Sequence, residues 1–443
     1  MKTHRYIFYL LMISGISIIP VSCSQNEEEK APVKTEIIQK EGNYTLLRNG
    51  EPYYIKGAGG QKYLSRLAEY GGNSFRLWST NNETQESGKT ISQLLNEADS
   101  LDLTVTLGLW VTHPRHNKTF YDDTVKVREQ LERFRKDVIK YKDHPALLMW
   151  AVGNEVHLHT GVKKVWDAVN DIAGMIKEED PNHVVSTITA GINPDLVEDI
   201  KTRAPEIDLI GVNAYANDLS NLPESVKEAG WEKAYFIGEY GPSGHWKVEG
   251  TPWGAKYEPT MKEKLNAYIN AYNAFEEDSA HCIGSYVFKW GWKWERTYSW
   301  FNLFTREGHE TASVDAMQYL WNGEWPENRS PVSGKIYIDK QSYRDKDTLV
   351  AGNSYQVAVE VENPDNDELN YDWRLYPEGR SKVRGGDPET PEAFIRDLSI
   401  EGEGKKVRIE MPHDETGYFR LYVLVSDNEN NVTISNYPFF LAK

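Results

Sequence analysis

Residues 147–156 read Leu147-Leu148-Met149-Trp150-Ala151-Val152-Gly153-Asn154-Glu155-Val156, and residues 235–242 read Tyr235-Phe236-Ile237-Gly238-Glu239-Tyr240-Gly241-Pro242. Each is a short apolar run that ends on a glutamate. Six more apolar, partly β-branched runs occur at 53–58, 74–78, 104–110, 184–189, 209–215 and 284–290. Between them lie helical patterns such as 125–141 and 162–178, where apolar residues recur every three or four positions. That alternation marks βα units around a parallel sheet. Eight runs, seven intervening helices and a closing helix at 314–321 predict a TIM-type (β/α)8 barrel over 36–326, an architecture that needs about 250 residues. An open doubly wound sheet would carry a glycine-rich phosphate loop after its first strand, and Gly57-Ala58-Gly59-Gly60 lacks that spacing.

The pattern changes at Trp325-Pro326-Glu327-Asn328-Arg329-Ser330-Pro331, a proline-bounded linker. Beyond it, 332–443 alternates with period two, as at 355–361 and 418–425, and predicts a smaller antiparallel β-sandwich. Residues 362–373 have the strand-turn-strand look of PKD-like or cadherin-like immunoglobulin folds. A spacer role is expected for this module ahead of glycan binding, and its acidic turn reads as a turn before it reads as a calcium site.

The formal net charge of −17 argues against nucleic acid, anionic membrane or polyanionic glycan as the main partner, since like charges repel. Fourteen Trp and 26 Tyr suit flat, polar-edged ligands such as sugars, although many such rings serve a core. Cys23 and Cys282 are the two cysteines, too few for a disulfide framework or a thiolate metal site. At the N-terminus, Lys2, His4 and Arg5 precede an apolar run at 6–20, the layout of an export signal over 1–22. Pro20-Val21-Ser22-Cys23 resembles a bacterial lipobox, which implies lipidation of Cys23 and a membrane anchor. The polar, acidic stretch that follows reads as a flexible tether over 23–35. It resembles the surface-export signals of Bacteroidetes lipoproteins, which implies an outer-membrane, cell-surface location and association with a glycan-uptake system.

In such a barrel, reactive groups sit at the carboxyl ends of the strands. Glu155 ends the fourth run and Glu239 the seventh, and these strands face each other across the mouth. Glycoside hydrolysis with retention needs two carboxyl groups about 5 to 5.5 Å apart, one attacking the anomeric carbon and one protonating the leaving oxygen. Gly-Asn-Glu ending strand four and Glu-Tyr-Gly ending strand seven resemble clan A glycoside hydrolases, the 4/7 superfamily of retaining enzymes. The resemblance spans the barrel and implies that Glu155 is the acid/base and Glu239 the nucleophile.

The same resemblance implies further roles. Arg76, ending strand two, pairs with Glu239; Asn154 hydrogen-bonds the sugar 2-hydroxyl; Tyr215 donates to the nucleophile; Trp290 forms the floor under the sugar, with Trp292 the alternative. Trp110, His113, His116 and Trp246 lie in loops on the same face as candidates for outer subsites. His157 and His159 lack the helical spacing of a zinc site, so neither a metal nor an organic cofactor is expected. Strands four, six, seven and eight look like family 2 glycoside hydrolases, but Arg76-Leu77-Trp78-Ser79-Thr80 departs from the usual Arg-Thr-Ser-His, and the N-terminal domains of that family are missing. Gly-Asn-Glu-Val and the barrel-plus-sandwich layout are similar to family 158 endo-β-1,3-glucanases, which implies a neutral β-glucan substrate. A transglycosylase, an exo-acting β-galactosidase or β-mannosidase type, and a non-catalytic glycan-binding lipoprotein are the alternatives.

Overall fold

The computed structural model describes residues 32–82, 86–379, 387, 389–390, 393–395 and 398–443. The export signal and Cys23 lie outside the described residues. Among the described residues no helix is long and apolar enough to cross a membrane.

Eight parallel strands close into a barrel: Ile55–Gly59, Ser74–Leu77, Thr104–Leu109, Leu147–Asn154, Val184–Ala190, Leu209–Tyr215, Tyr235–Gly241 and Cys282–Val287. The fourth, sixth and seventh strands are almost wholly buried, because one side meets the helices and the other the barrel interior. Helix Thr124–Tyr141 shows how the intervening sequence is read locally. Its Asp123 cap accepts from the backbone N–H groups of Val125 and Lys126, and Gln130, Phe134, Val138 and Tyr141 recur every three or four residues on its buried side.

Residues 32–35 are part of the body of the molecule and not of a tether. Val33 is buried, and the Thr35 N–H donates to the Asn182 carbonyl at 2.8 Å. Strands Thr35–Lys40, Asn43–Arg48 and Glu51–Pro52 then form a small sheet. Leu46, Ile37 and Tyr44 of that sheet pack with Ile55, Leu148, Met149, Leu209 and Phe236, so the hairpin stops the amino-terminal end of the barrel. The open end is the one that carries the two glutamates.

The last barrel helix, Ala312–Asn322, ends at Gly323, whose φ of 87° suits the left-handed closing residue of a helix. The C-terminal module begins at Val332 and builds two four-stranded sheets, antiparallel except for one parallel pairing between Thr348–Val350 and Val432–Ala442. Its core includes Ile336, Leu349, Trp373, Val423 and Phe439.

The module packs against the barrel. Trp294 and Tyr298 of the barrel share a buried cluster with Tyr376, Tyr422, Val432 and Ile434 of the module. Buried Glu258 takes Nδ2–H of Asn436 at 2.7 Å and also pairs with buried Lys264. Arg420, 2% exposed, donates to the Lys256 carbonyl at 2.8 Å. Each of these contacts removes charge or hydrogen-bonding groups from water, and a buried charge stays stable only when such partners are in place.

Candidate active site

Glu239 lies within the seventh strand, with Glu155 directly after the fourth. The chain turns sharply to present Glu155. Gly153 has a φ of 77° and Glu155 itself a φ of 53°, while the Glu155 N–H still bonds the Ile188 carbonyl of the fifth strand at 2.8 Å. A non-glycine residue held in the left-handed region carries local strain, and such positions cluster at working sites.

Three donors converge on Glu239. Arg76 donates to Oε1 at 3.1 Å, the Trp78 indole Nε1–H to the same oxygen at 2.8 Å, and the Tyr215 hydroxyl to Oε2 at 2.7 Å. Arg76 is 1% exposed and is fixed in turn by the Gly238 carbonyl at 2.8 Å and Asn154 Oδ1 at 2.7 Å. Burial pulls its guanidinium downwards from the usual range, while Glu239 and Glu155 oppose that pull. Gly238 makes the arrangement possible. A Cβ there would sit 2.6 Å from Asn213 Oδ1 and 2.9 Å from an Ile188 methyl, so a larger residue would push the neighbouring strands apart.

Glu155 meets a different environment. Its carboxyl takes one side-chain donor, Asn213 Nδ2 at 2.8 Å, which also reaches Asn154 Oδ1 at 3.2 Å. Burial is the main force that raises its pKa to about 7, the charge of Glu239 adds to it, and the Asn213 bond and Arg76 pull the other way. A carboxyl of that kind holds a proton near neutrality while its neighbour carries charge.

Both glutamates line a cavity of about 1410 Å³. Trp78, Trp110, Trp246, Phe288 and Trp292 line it too, with Trp110 43% and Trp246 50% exposed. The Trp246 ring stands edge-on to Tyr215 at 5.5 Å, which connects this wall to Glu239. His113 supports Glu155 from behind. Its Nδ1 accepts from the Arg115 N–H at 3.1 Å, so Nε2 carries the proton and donates to the Glu155 carbonyl at 2.8 Å. Burial pushes the pKa of this imidazole down to about 4, which keeps it neutral.

Asn154 lies on the cavity beside Arg76, and Tyr215 and Arg76 both touch Glu239. Trp290 requires a correction. The eighth strand ends at Val287, three residues earlier than the alternation suggests, and the chain then turns Trp290 inward. It is 1% exposed and packs on Phe304 and Trp321 with its Nε1–H on the Tyr63 carbonyl, so it is core and not a floor for a sugar. Phe288 and Trp292 reach the cavity from that segment instead. His157 stacks near Trp166 and bonds the Ala190 carbonyl, while His159 lines the cavity. Among the described residues no three His, Cys, Asp or Glu side chains gather as a metal site would require. His116 faces Asp387 at 3.5 Å.

Two contributors were not singled out in the sequence. Trp78 lies two residues after Arg76 and Asn213 two before Tyr215, so the period-two alternation that orients Arg76 and Tyr215 also turns these side chains towards the same side.

A family model described as the TIM barrel domain of glycosyl hydrolases family 2 matches residues 82–272, less than half of the chain but a stretch that includes both glutamates. Over that stretch the barrel, with its paired carboxyls, is similar to the TIM barrel domain of that family. Over 81 residues, 18% of this chain, the sequence is 36% identical to a putative mannan endo-1,4-beta-mannosidase 4 of Arabidopsis thaliana, of which it covers 19%. The fold is similar to a calcium-binding mutant of Bacteroides uniformis beta-glucuronidase 2, with a TM-score of 0.50 and 14% identity, over 92% of this chain and 48% of that one. It is also similar to Ruminococcus gnavus beta-glucuronidase, with a TM-score of 0.50 and 13% identity, over 66% of this chain and 53% of that one. This chain thus spans about half of each glucuronidase and a fifth of the mannosidase.

Proposed function

We propose that this chain is a retaining β-glycoside hydrolase in which Glu239 attacks the anomeric carbon and Glu155 serves as acid and then base. The observation that carries the reading is the unlike setting of two identical side chains in one cavity. Glu239 is oriented by Arg76, Trp78 and Tyr215, and Glu155 is half-buried with Asn213 as its side-chain donor and a pKa raised to about 7. In the first step Glu239 Oε forms a bond to the anomeric carbon as the glycosidic C–O bond breaks, and the Glu155 proton passes to the departing oxygen. Glu155, now charged, takes a proton from water, which attacks the same carbon and releases Glu239.

A neutral glycan fits this wall better than a uronate does. Recognition of a sugar carboxylate calls for a guanidinium or ammonium with capacity to spare. Arg115, Lys289, Lys293 and Arg296 of the wall each face a carboxylate of this chain, namely Asp387, Glu86, Glu295 and Glu389, and Lys256 bonds the Val248 carbonyl. The favoured substrate is a β-1,3-glucan cleaved internally. A β-mannan is the second reading, supported by the local identity to the mannosidase. We also propose that the protein is exported and anchored through a lipid on Cys23, at the outer face of the outer membrane beside a glycan-uptake system. Loss of fatty-acid labelling in Cys23→Ala would support that anchor, and unchanged labelling would contradict it.

The test of the activity is incubation of the chain from residue 24 onward with β-glucans, β-mannan, xylan and β-galactan. Release of oligosaccharides from one glycan, abolished in both Glu155→Gln and Glu239→Gln, is expected. Binding without turnover by the unaltered protein would contradict the hydrolase reading, and products longer than the substrate would mark a transglycosylase.

A further inference from the structure

Glu378, Gly379, Glu389 and Tyr418 of the C-terminal module line the same cavity as Glu155 and Glu239. Tyr418, 40% exposed, stacks on Trp253 of the barrel with ring centroids 5.3 Å apart and planes within 16°. Two residues further along the same strand, Arg420 donates to both oxygens of Glu378 at 2.8 Å each. Glu378 is therefore fixed from behind, and the lone pairs on its cavity side remain available as acceptors. Contacts on two other barrel loops hold the module over the mouth: Arg115 pairs with Asp387 at 2.9 Å, and the Arg296 N–H donates to Glu389 at 3.0 Å.

An aromatic face beside a fixed carboxylate is the chemistry that grips a pyranose. The axial C–H face of the ring packs on the π-system, and neighbouring hydroxyls donate to the carboxylate. The side-chain donors on Glu155 and Glu239 are Asn213, Arg76, Trp78 and Tyr215, so Trp253, Tyr418 and Glu378 form a separate station along the cavity. The cavity volume exceeds the roughly 300–1,000 Å³ of an ordinary small-molecule site, so more than one sugar ring can be held at once.

Resting on the hydrolase reading above, we propose that Trp253, Tyr418 and Glu378 form a distal subsite for a further sugar residue of a neutral β-glycan chain. The C-terminal module is thereby part of the substrate-binding surface. Binding energy gathered there acts on long substrates and is out of reach of short ones.

The experiment compares the chain from residue 24 onward with its Tyr418→Ala, Trp253→Ala and Glu378→Gln variants. Each is given laminari-oligosaccharides and β-1,4-manno-oligosaccharides of two to six residues, and thermal unfolding checks that each variant is folded. The expected result is a loss of kcat/KM that is about tenfold larger on the hexasaccharide than on the disaccharide, carried mainly by KM, from removal of one stacking or hydrogen-bonding partner. Tyr418, 40% exposed, is on the surface of its strand, so Tyr418→Ala serves where another variant unfolds the protein. Equal losses at every length overturn the subsite and leave the hydrolase reading standing. An unaltered protein that cleaves neither series, nor xylo- and β-galacto-oligosaccharides, overturns the hydrolase reading and the subsite with it.

Discussion

Glu155 and Glu239 end two strands of one barrel and open on one cavity, yet their surroundings are opposite in kind. Around Glu239 the strands supply a guanidinium, an indole N–H and a phenol; around half-buried Glu155 they supply one amide, and its pKa is raised to about 7. The first setting orients a carboxyl for attack and the second favours a retained proton. The lesson is that position on the barrel gives the two residues their reach, while second neighbours such as Trp78 and Asn213 divide the labour between them.

Removal of either carboxyl tests that division with the largest effects. Glu239→Gln is expected to lower kcat by about 10⁴-fold or more on every substrate, since the attacking group itself is lost. Glu155→Gln should cost about 10²- to 10⁴-fold on a glycan, and much less in the first step with an aryl leaving group that departs without a proton. Steady-state and pre-steady-state rates on both substrate types check this. Equal losses in both variants on both leaving groups would break the contrast between the residues.

Arg76→Lys comes next, with an expected loss of about 10²-fold in kcat. A lysine keeps the charge but cannot join Glu239, the Gly238 carbonyl and Asn154 through one planar fork. Trp78→Phe removes one hydrogen bond to Glu239 and keeps the ring, so about a tenfold loss is expected, with the melting temperature nearly unchanged. A Trp78→Phe enzyme with full activity would remove Trp78 from the description of the Glu239 side.

The smallest effect is on pH. Hydrolysis needs Glu155 protonated, so kcat/KM should fall as pH rises through about 7. The Asn213 hydrogen bond favours the charged form of Glu155, and its loss in Asn213→Ala should move that alkaline limb to higher pH. A limb that moves to lower pH would reverse the sign assigned to the Asn213 contact.

The barrel was legible in the sequence because its eight strands are buried runs separated by helices with clear periodicity. The C-terminal module was legible through its change to period two. Arg76, Asn154 and Tyr215 could be singled out because the resemblance to clan A glycoside hydrolases implies roles for those strand-end positions. Trp290 was misread because an alternating pattern continues for three residues past the point where the eighth strand stops. The wall built by Glu378, Glu389 and Tyr418 left no local signal. Tyr418 and Glu389 meet Trp253 and Arg296 only after two domains fold against each other, and no periodicity spans that separation in sequence.

The most direct test of the central claim is to trap the covalent intermediate. The protein is treated with 2-deoxy-2-fluoro β-glucosyl and β-mannosyl donors that carry a dinitrophenyl leaving group, and the peptide that gains the sugar is identified by mass spectrometry. A single label on Glu239 is the expected result, with Glu239→Gln unlabelled and Glu155→Gln still labelled. A label on Glu155 or on any other residue would contradict the assignment of attack to Glu239.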